Sequence, residues 1–268
     1  MKCLFCKSDQ YEEKFVSTLE KVEYFICSEC GCHSQTNPID TNYNENYWEG
    51  DVIDPDGKKR NFIEEKDFKI KNWYGDITEF TNNFSDPKVL DVGCGLGFLL
   101  SSFKTKYKTG IEASNFCVDF IKKNFQDINI LKGGSDDLNK ILNNTKFDII
   151  VAYHVIEHLD DPVDFIKNLK MKLNKSGKLI IGTPCIGSLI SKYFGKNYRL
   201  YNKSHKILLN EKSLKQLFEK NGFKIVKIEK PFFKTAYNNF SNFVRLFNKN
   251  KISPPFYGSI ITIYAELN

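Results

Sequence analysis

Between Lys88 and Gly97 the chain reads Lys-Val-Leu-Asp-Val-Gly-Cys-Gly-Leu-Gly, and no other stretch restricts the fold as much. The β-branched run Lys88 to Val92 predicts a buried strand, and glycines at alternate positions let the backbone turn tightly and approach a ligand with no Cβ in the way. Phe98 to Phe103 then resumes an apolar helical pattern. Strand, glycine turn and helix in succession aim backbone amides at a bound group, as α/β nucleotide sites do. Asp91 stands at the strand end, where a carboxylate can face a cationic or amine-bearing ligand. The spacing departs from the dinucleotide fingerprint, which requires a glycine where this chain has Phe98.

The same rhythm repeats downstream. Tyr107 to Ile111 predicts a second strand ending in Glu112, at the separation where a strand-end carboxylate bonds ribose hydroxyls in such folds. After Ala113-Ser-Asn comes a helix with Val118, Ile121 and Phe125 on one side. Ile128 to Leu131 predicts a third strand, followed by Gly133-Gly-Ser-Asp-Asp137. Phe147 to Tyr153 is a fourth, running apolar without alternation as a strand covered on both faces should. His154-Val-Ile-Glu-His-Leu-Asp-Asp-Pro162 follows directly, and spacings of three and four put His154, Glu157 and His158 on one face if the turn is helical. His-x-x-Glu-His also matches the inverted zinc-protease pattern, but that pattern belongs inside a helix and here a buried strand runs into it. Lys178 to Pro184 predicts a fifth strand with Pro184 ending it. Leu208 to Gly222 has an Asn210 cap, a helical pattern and a glycine stop. Phe223 to Ile228 and Ser259 to Glu266 are the last two strands. Between them lies an aromatic insertion, 231–258, with Phe232, Phe233, Tyr237, Phe240, Phe243, Phe247, Phe256 and Tyr257; it is a packed extension, a lid over the cleft or a contact in a homodimer.

Ahead of this unit, Cys3-x-x-Cys6 and Cys27-x-x-Cys30 have the spacing of a four-cysteine zinc site, with Val22 to Ile26 as a strand entering the second knuckle. Cys32 and His33 are alternative ligands. A site closed by four thiolates leaves no position for substrate, so a structural zinc is expected. Across residues 1–50, Lys2, Lys7, Lys14 and Lys21 are outnumbered by nine carboxylates, which makes the ribbon a poor phosphate binder. The net charge of +6 must arise elsewhere. Asn42 to Asp56, with Tyr43, Tyr47, Trp48 and the turn Asp54-Pro-Asp-Gly57, reads as linker, and Phe62 to Phe80 as one or two lead-in helices. The expected division is therefore a ribbon over 1–40, linker and helices over 41–87, and the main domain over 88–268. With 41% hydrophobic residues, no apolar run near the roughly 20 residues of a membrane helix and no signal-peptide core after Met1, a cytoplasmic protein without membrane contact is expected.

Gly-x-Gly-x-Gly preceded by Asp91, the run Phe147 to Pro162 and the segment Leu189 to Gly222 together resemble class I S-adenosylmethionine-dependent methyltransferases. The run Phe147 to Pro162 resembles that of the small-molecule branch, including the ubiquinone-biosynthesis O-methyltransferases and the sugar methyltransferases of polysaccharide and deoxysugar pathways. The resemblance implies an α/β fold: a Rossmann-like, seven-stranded, mostly parallel sheet with its last strand antiparallel, carrying the small N-terminal zinc ribbon. It implies that S-adenosyl-L-methionine is held by Asp91, Gly93, Cys94, Gly95 and Gly97, by Glu112 and Ala113, by Ser135 and by Asp136 as a substitute where the family carries Gly-Asp and this chain has Gly133-Gly134, and by Tyr153. In the ubiquinone branch the position of His154 is usually acidic, a departure that bears on any magnesium role.

Methyl transfer needs a positioned, deprotonated nucleophile. His158 and His205 are the expected bases, with His154 and Glu157 beside them, since neutral imidazole suits the task near pH 7. The resemblance also places 192–206 on the acceptor side, where Lys192, Lys196, Arg199, Lys203 and Lys206 alternate with Tyr193, Tyr198 and Tyr201. Arg199, Tyr198 and Tyr201 are the expected contacts to a small anionic acceptor, such as a nucleotide-linked sugar of a surface polysaccharide. No nucleic-acid partner is expected. The rival readings are an RNA methyltransferase with a zinc-ribbon reader and a non-catalytic binding module.

Overall fold

The computed structural model describes residues 1–40, 43, 45–50, 52–53, 59–230, 240–254 and 259–268, with 52–53 described by backbone only. The seven predicted strands form one sheet: β6 (Val89–Val92), β7 (Lys108–Glu112), β8 (Ile128–Lys132), β9 (Phe147–Tyr153), β10 (Leu173–Ile186), β12 (Phe223–Glu229) and β13 (Ile260–Leu267). Their spatial order is β8-β7-β6-β9-β10-β13-β12, parallel except that β13 runs against both its neighbours. This is the expected Rossmann-like sheet. Side chains alternate between two cores. Leu90, Val92, Ile150 and Leu179 face α7 (Pro162–Lys172) and α9 (Glu211–Lys220), whereas Val89, Ile149, Val151 and Ile180 face α3 (Gly75–Asn82), α4 (Phe98–Ser102) and α5 (Asn115–Asn124). Each such residue contributes about 1.5–3 kcal/mol by leaving water.

Asp161 caps α7, accepting from the N–H groups of Val163 and Asp164, with Pro162 in the first turn where its missing N–H costs nothing. Asn210 caps α9 through the N–H of Ser213 at 2.8 Å, and Gly222 follows it with φ +76°. The remaining short helices are α1 (Glu45–Glu49), α2 (Lys66–Asn72), α6 (Leu138–Leu142), α8 (Leu189–Phe194) and α10 (Phe240–Arg245).

At the other end, β1 (Tyr11–Val16), β2 (Glu23–Cys27) and β3 (His33–Gln35) make an antiparallel ribbon. The sequence reading missed β11 (Ile207–Asn210), whose last three residues it took as the lead-in and cap of the following helix. That strand pairs with β3 on one side and with Cys185 and Ile186 of β10 on the other, so ribbon and main sheet share hydrogen bonds. Pro184 does not end the fifth strand. It lies where β10 leaves β9 at Gly182 and meets β11 at Cys185, a step at which no N–H is needed.

Part of the expected linker is ordered: α1 carries Tyr47 and Trp48, and β4 (Val52–Ile53) pairs with β5 (Lys59–Arg60). Asn42 and the turn Asp54 to Gly57 lie outside the described residues, as do Phe232, Phe233, Tyr237, Phe256 and Tyr257 of the aromatic insertion. Its described part docks on the 195–199 turn, with Ser253 N–H donating to Asn197 O at 2.9 Å and its Oγ accepting from Arg199 N–H at 2.9 Å. No helix among the described residues is long and apolar enough to cross a membrane.

Candidate active site and metal centre

The glycine turn leaves β6 and is tied to β7. Glu112 accepts from the N–H of Gly95 at 2.8 Å through one carboxylate oxygen and from that of Ser114 at 2.9 Å through the other. Each oxygen keeps a further lone pair for a ligand hydroxyl. Asp91 is 2% exposed and its Oδ1 has no partner among the described residues. Burial, with the Glu112 charge added, pushes its carboxyl well above the ordinary range. A buried acceptor without a donor fits a cationic or amine group arriving from outside.

The glycines differ in what they serve. A Cβ on Gly93 would stand 2.6 Å from Val155 Cγ2 and one on Gly97 2.9 Å from Ile121 Cγ1, so both are packing requirements. A Cβ on Gly95 would stand 3.1 Å from the Trp48 ring. The aromatic segment thus covers the turn. The Cys94 thiol is turned inward, 2.7 Å from where a Gly110 Cβ would be, leaving only its backbone to meet a ligand. Ala113 and Asp136 are exposed and Ser135 is half-buried, its hydroxyl 3.3 Å from Asp136 Oδ1.

Beyond β9 the backbone of His154 turns left-handed, φ +59°, with its N–H on Gly182 O at 2.8 Å. That turn sets His154 over Glu157. Glu157 is 1% exposed; one oxygen holds His154 Nδ1 at 2.9 Å and stands 3.7 Å from His158 Nε2, and the other accepts from Thr183 Oγ1 at 3.0 Å. Burial alone would raise its pKa, but the His154 hydrogen bond and the three nearby imidazoles hold it down to about 2. His205 is buried, and burial with His158 alongside lowers it to about 3, so it is neutral near pH 7. His158 Nδ1 sits 2.6 Å from Ser204 O and His205 Nδ1 2.8 Å from Leu200 O. Both rings therefore spend Nδ1–H on a carbonyl, which leaves Nε2 for other partners. Ligand atoms of Glu157, His158 and His205 lie within 4.8 Å of one another, close enough to share a proton or a divalent ion.

Tyr43 joins this cluster to the glycine turn. Its carbonyl accepts from Ser114 Oγ at 2.8 Å, and its hydroxyl is 3.3 Å from His158 Nδ1. Tyr43, Tyr47 and Trp48 are the site neighbours that the sequence reading treated as linker. Their signal was aromatic spacing at i and i+4 ahead of the main domain. Two cations also went unnoticed: Arg60 and Lys69 lie over the Phe62 ring at 4.5 and 4.4 Å, and both bond Glu65. Burial, opposed by Glu65, lowers Lys69 to about 8. Trp73 of the same wall is 6.5 Å from His154.

The expected acceptor tyrosines are core residues instead. Tyr198 is 1% exposed and donates to Cys185 O at 3.1 Å; Tyr201 is 3% exposed and reaches His33 Nδ1 at 2.8 Å. Aromatic rings so close to the ribbon gain more from packing there than from facing water. Arg199 between them is half-buried. Tyr153 lies over Gly182, 2.2 Å from where a Cβ would stand, with Tyr74 edge-on at 5.6 Å.

In the ribbon, Cys3 and Cys30 sulfurs are 3.6 Å apart, Cys6 and Cys27 sulfurs 3.4 Å, and all four lie within 4.8 Å. A tetrahedral Zn–S₄ centre with bonds near 2.3 Å puts its sulfurs about 3.8 Å apart. The donor set fits that ion. Both knuckles turn on left-handed residues, Lys7 at φ +63° and Gly31 at φ +65°. Cys32 stands outside the group, and His33 is stacked on Tyr201 with its pKa lowered to about 4 by burial.

The sequence profile of a methyltransferase domain family matches residues 63–228. The mitochondrial ubiquinone biosynthesis O-methyltransferase of Schizosaccharomyces pombe is 31% identical over 38% of this chain and 39% of its own length. The tRNA U34 carboxymethyltransferase of Colwellia psychrerythraea is 28% identical over 57% of this chain and 49% of its own. The chain thus spans less than half the length of these relatives. A solved S-adenosylmethionine-dependent methyltransferase of Thermotoga maritima, a possible histamine N-methyltransferase, superposes with TM-score 0.55 at 21% identity over 76% of this chain and 95% of that one. Magnesium protoporphyrin IX methyltransferase of Synechocystis, with S-adenosylhomocysteine bound, gives 0.53 at 15% identity over 78% and 89%. At such identities these two structures show a shared fold.

Proposed function

We propose that this chain, which belongs to the methyltransferase domain family and is a class I S-adenosylmethionine-dependent methyltransferase, methylates an oxygen of a small anionic acceptor. The observation that carries the reading is Tyr43, which ties the cofactor-side Ser114 to His158 and so sets a group of imidazoles beside the glycine turn. When bound, the cofactor supplies a methyl group activated by its sulfonium. Asp91, Glu112 and the turn amides would hold it, under the ring of Trp48.

For the acceptor, Nε2 of His158 takes the hydroxyl proton, with the neutral His205 ring packed beside it. Glu157, kept ionised, stabilises the imidazolium that results, and Thr183 and His154 hold that carboxylate in place. A near-linear displacement adds the demand for a fixed acceptor. Trp73 and Tyr43 offer flat faces for it. Arg60 and Lys69 line that wall, both reaching Glu65, where their N–H groups can also meet an anionic group of an acceptor. This supports a phosphorylated or nucleotide-linked acceptor, a sugar or another precursor of a surface polysaccharide. The relatives named for ubiquinone O-methylation and tRNA modification supply the rival acceptors, a phenolic ring and RNA.

A turnover screen over nucleotide sugars, sugar phosphates, polyprenyl phenols and total RNA tests this. Preference for an uncharged phenol or for RNA would overturn the anionic-acceptor reading. Arg60→Gln should raise the acceptor KM about tenfold while the Kd for S-adenosylmethionine stays within twofold. A rise in the cofactor Kd instead would place that cation on the cofactor's own carboxylate.

A further inference from the structure

His205 lies in a short turn that the ribbon grips. Within the turn, Asn202 Oδ1 accepts from the N–H groups of Ser204 and His205 at 3.0 and 3.1 Å. From β2, the hydroxyl of Tyr24 stands 2.7 Å from His205 O and 2.8 Å from Asn202 O. From β3, the side-chain amide of Gln35 stands 2.9 Å from His205 O and 3.0 Å from both Asn202 O and Lys203 O. The Gln35 N–H donates to Lys206 O at 2.9 Å, and Ile207 then pairs with Ser34. Tyr24 and Gln35 are 0% and 4% exposed. Every carbonyl from Asn202 to Lys206 except that of Ser204 thus accepts from the ribbon, and that of Ser204 faces His158. The outer side is closed by Lys206, whose ammonium bonds Asp40 at 2.7 Å and Asp160 at 2.9 Å.

Neither methyl transfer nor cofactor binding has a use for a closed four-thiolate ion. The grip supplies one. We propose that the ribbon is a positioning device for the acceptor site: Tyr24 and Gln35 fix the Asn202–His205 turn, keep the His205 imidazole enclosed beside His158 and Glu157, and convey to it the order that the metal imposes on the knuckles. The route from the metal is short. Cys30 O accepts from Asn210 Nδ2 and Ser213 Oγ at 3.0 and 2.8 Å, anchoring the second knuckle to the end of β11, and Cys27 ends β2 three residues after Tyr24. Buried carbonyls left without donors would seek water, and the turn would open to reach it. The inference rests on reading His205 as part of the acceptor site, and its test separates the two.

The test follows the His205 imidazole by NMR in the zinc-loaded chain of 268 residues, with its signals assigned by His205→Asn. In the wild type the ring should stay uncharged from pH 8 down to 4 and keep its Nδ1–H tautomer. In Tyr24→Phe and in Gln35→Leu, which remove the donors while keeping bulk, it should titrate closer to the ordinary imidazole range, at least one pH unit higher than in the wild type. Wild-type protein stripped of zinc by chelator should do the same. Cofactor affinity by calorimetry should change less than twofold in both variants, with kcat for a screened acceptor falling about tenfold. If Gln35→Leu fails to fold, Tyr24→Phe decides, because its ring still fills the same space. An unchanged His205 titration in folded Tyr24→Phe overturns the proposal, and an unchanged one after zinc removal overturns the metal's part in it. Full turnover by His205→Asn, with the ring released in Tyr24→Phe, would remove His205 from the chemistry and leave the grip standing.

Discussion

Glu112 and Gly95 are joined by a hydrogen bond of 2.8 Å, carboxylate to backbone N–H, that ties the end of the second sheet strand to the middle of the glycine turn. The same carboxylate has lone pairs left for ribose hydroxyls. Glu112→Ala should weaken S-adenosylhomocysteine binding by roughly 1–3 kcal/mol, because a charged acceptor is lost from a buried site. Titration calorimetry reads this directly. Unchanged affinity would confine Glu112 to shaping the turn.

Trp48 lies against Gly95, and its indole Nε1 is buried without a partner among the described residues. A ligand entering above the turn must touch this ring. Trp48→Ala should raise the cofactor Kd about five- to fiftyfold, and Gly95→Val should do at least as much, since its side chain would displace the ring. The chain has two tryptophans, so Trp48→Phe also isolates Trp73. Cofactor quenching of fluorescence that survives intact in Trp48→Phe would show that the ring is remote from the ligand.

The four ribbon sulfurs are spaced for a tetrahedral ion, whose binding energy adds directly to the stability of the folded ribbon. Freshly purified protein should contain about one zinc per chain by elemental analysis. Cys27→Ser should lose that metal and lower the Tm by several degrees. Less than about half a zinc in the wild type would count against the centre.

His33 is half-buried and stacked on Tyr201, and desolvation there lowers its pKa to about 4. The unfolded chain takes up this proton near pH 6.5 and the folded chain only near 4, so the unfolded state binds more protons in between. Stability from this site is complete above about pH 6.5 and falls as pH drops from 6.5 to 4, by on the order of 2–3 kcal/mol. His33→Asn should flatten the urea-midpoint profile across that window. A profile parallel to the wild type would assign the acid sensitivity to other groups, His205 first among them.

The central sheet was legible because its strands are continuous apolar runs that only a doubly covered sheet can bury, as Phe147 to Tyr153 shows. The glycine turn, the carboxylates Asp91 and Glu112 and the paired cysteines declare themselves by local spacing. β11 did not, because its pairing to β3 joins segments more than 170 residues apart and nothing local marks it. The tyrosines at 198 and 201 misled for a related reason. Rings interleaved with lysines read as an exposed face, and only the tertiary position of the ribbon turns them inward. Tyr43 and Trp48 lie in a polar, turn-rich stretch whose composition hides its aromatic side.

β11 has a consequence for how this molecule can be cut. It is four residues long and takes half its ladder partners from the ribbon. A chain shortened to begin after Asp40 would leave Ile207 and Leu208, both fully buried in the intact molecule, on an open edge with unpaired backbone groups. Such an edge recruits strands from other molecules. The ribbon therefore also acts as a cover for the sheet, and its removal would be seen first as self-association.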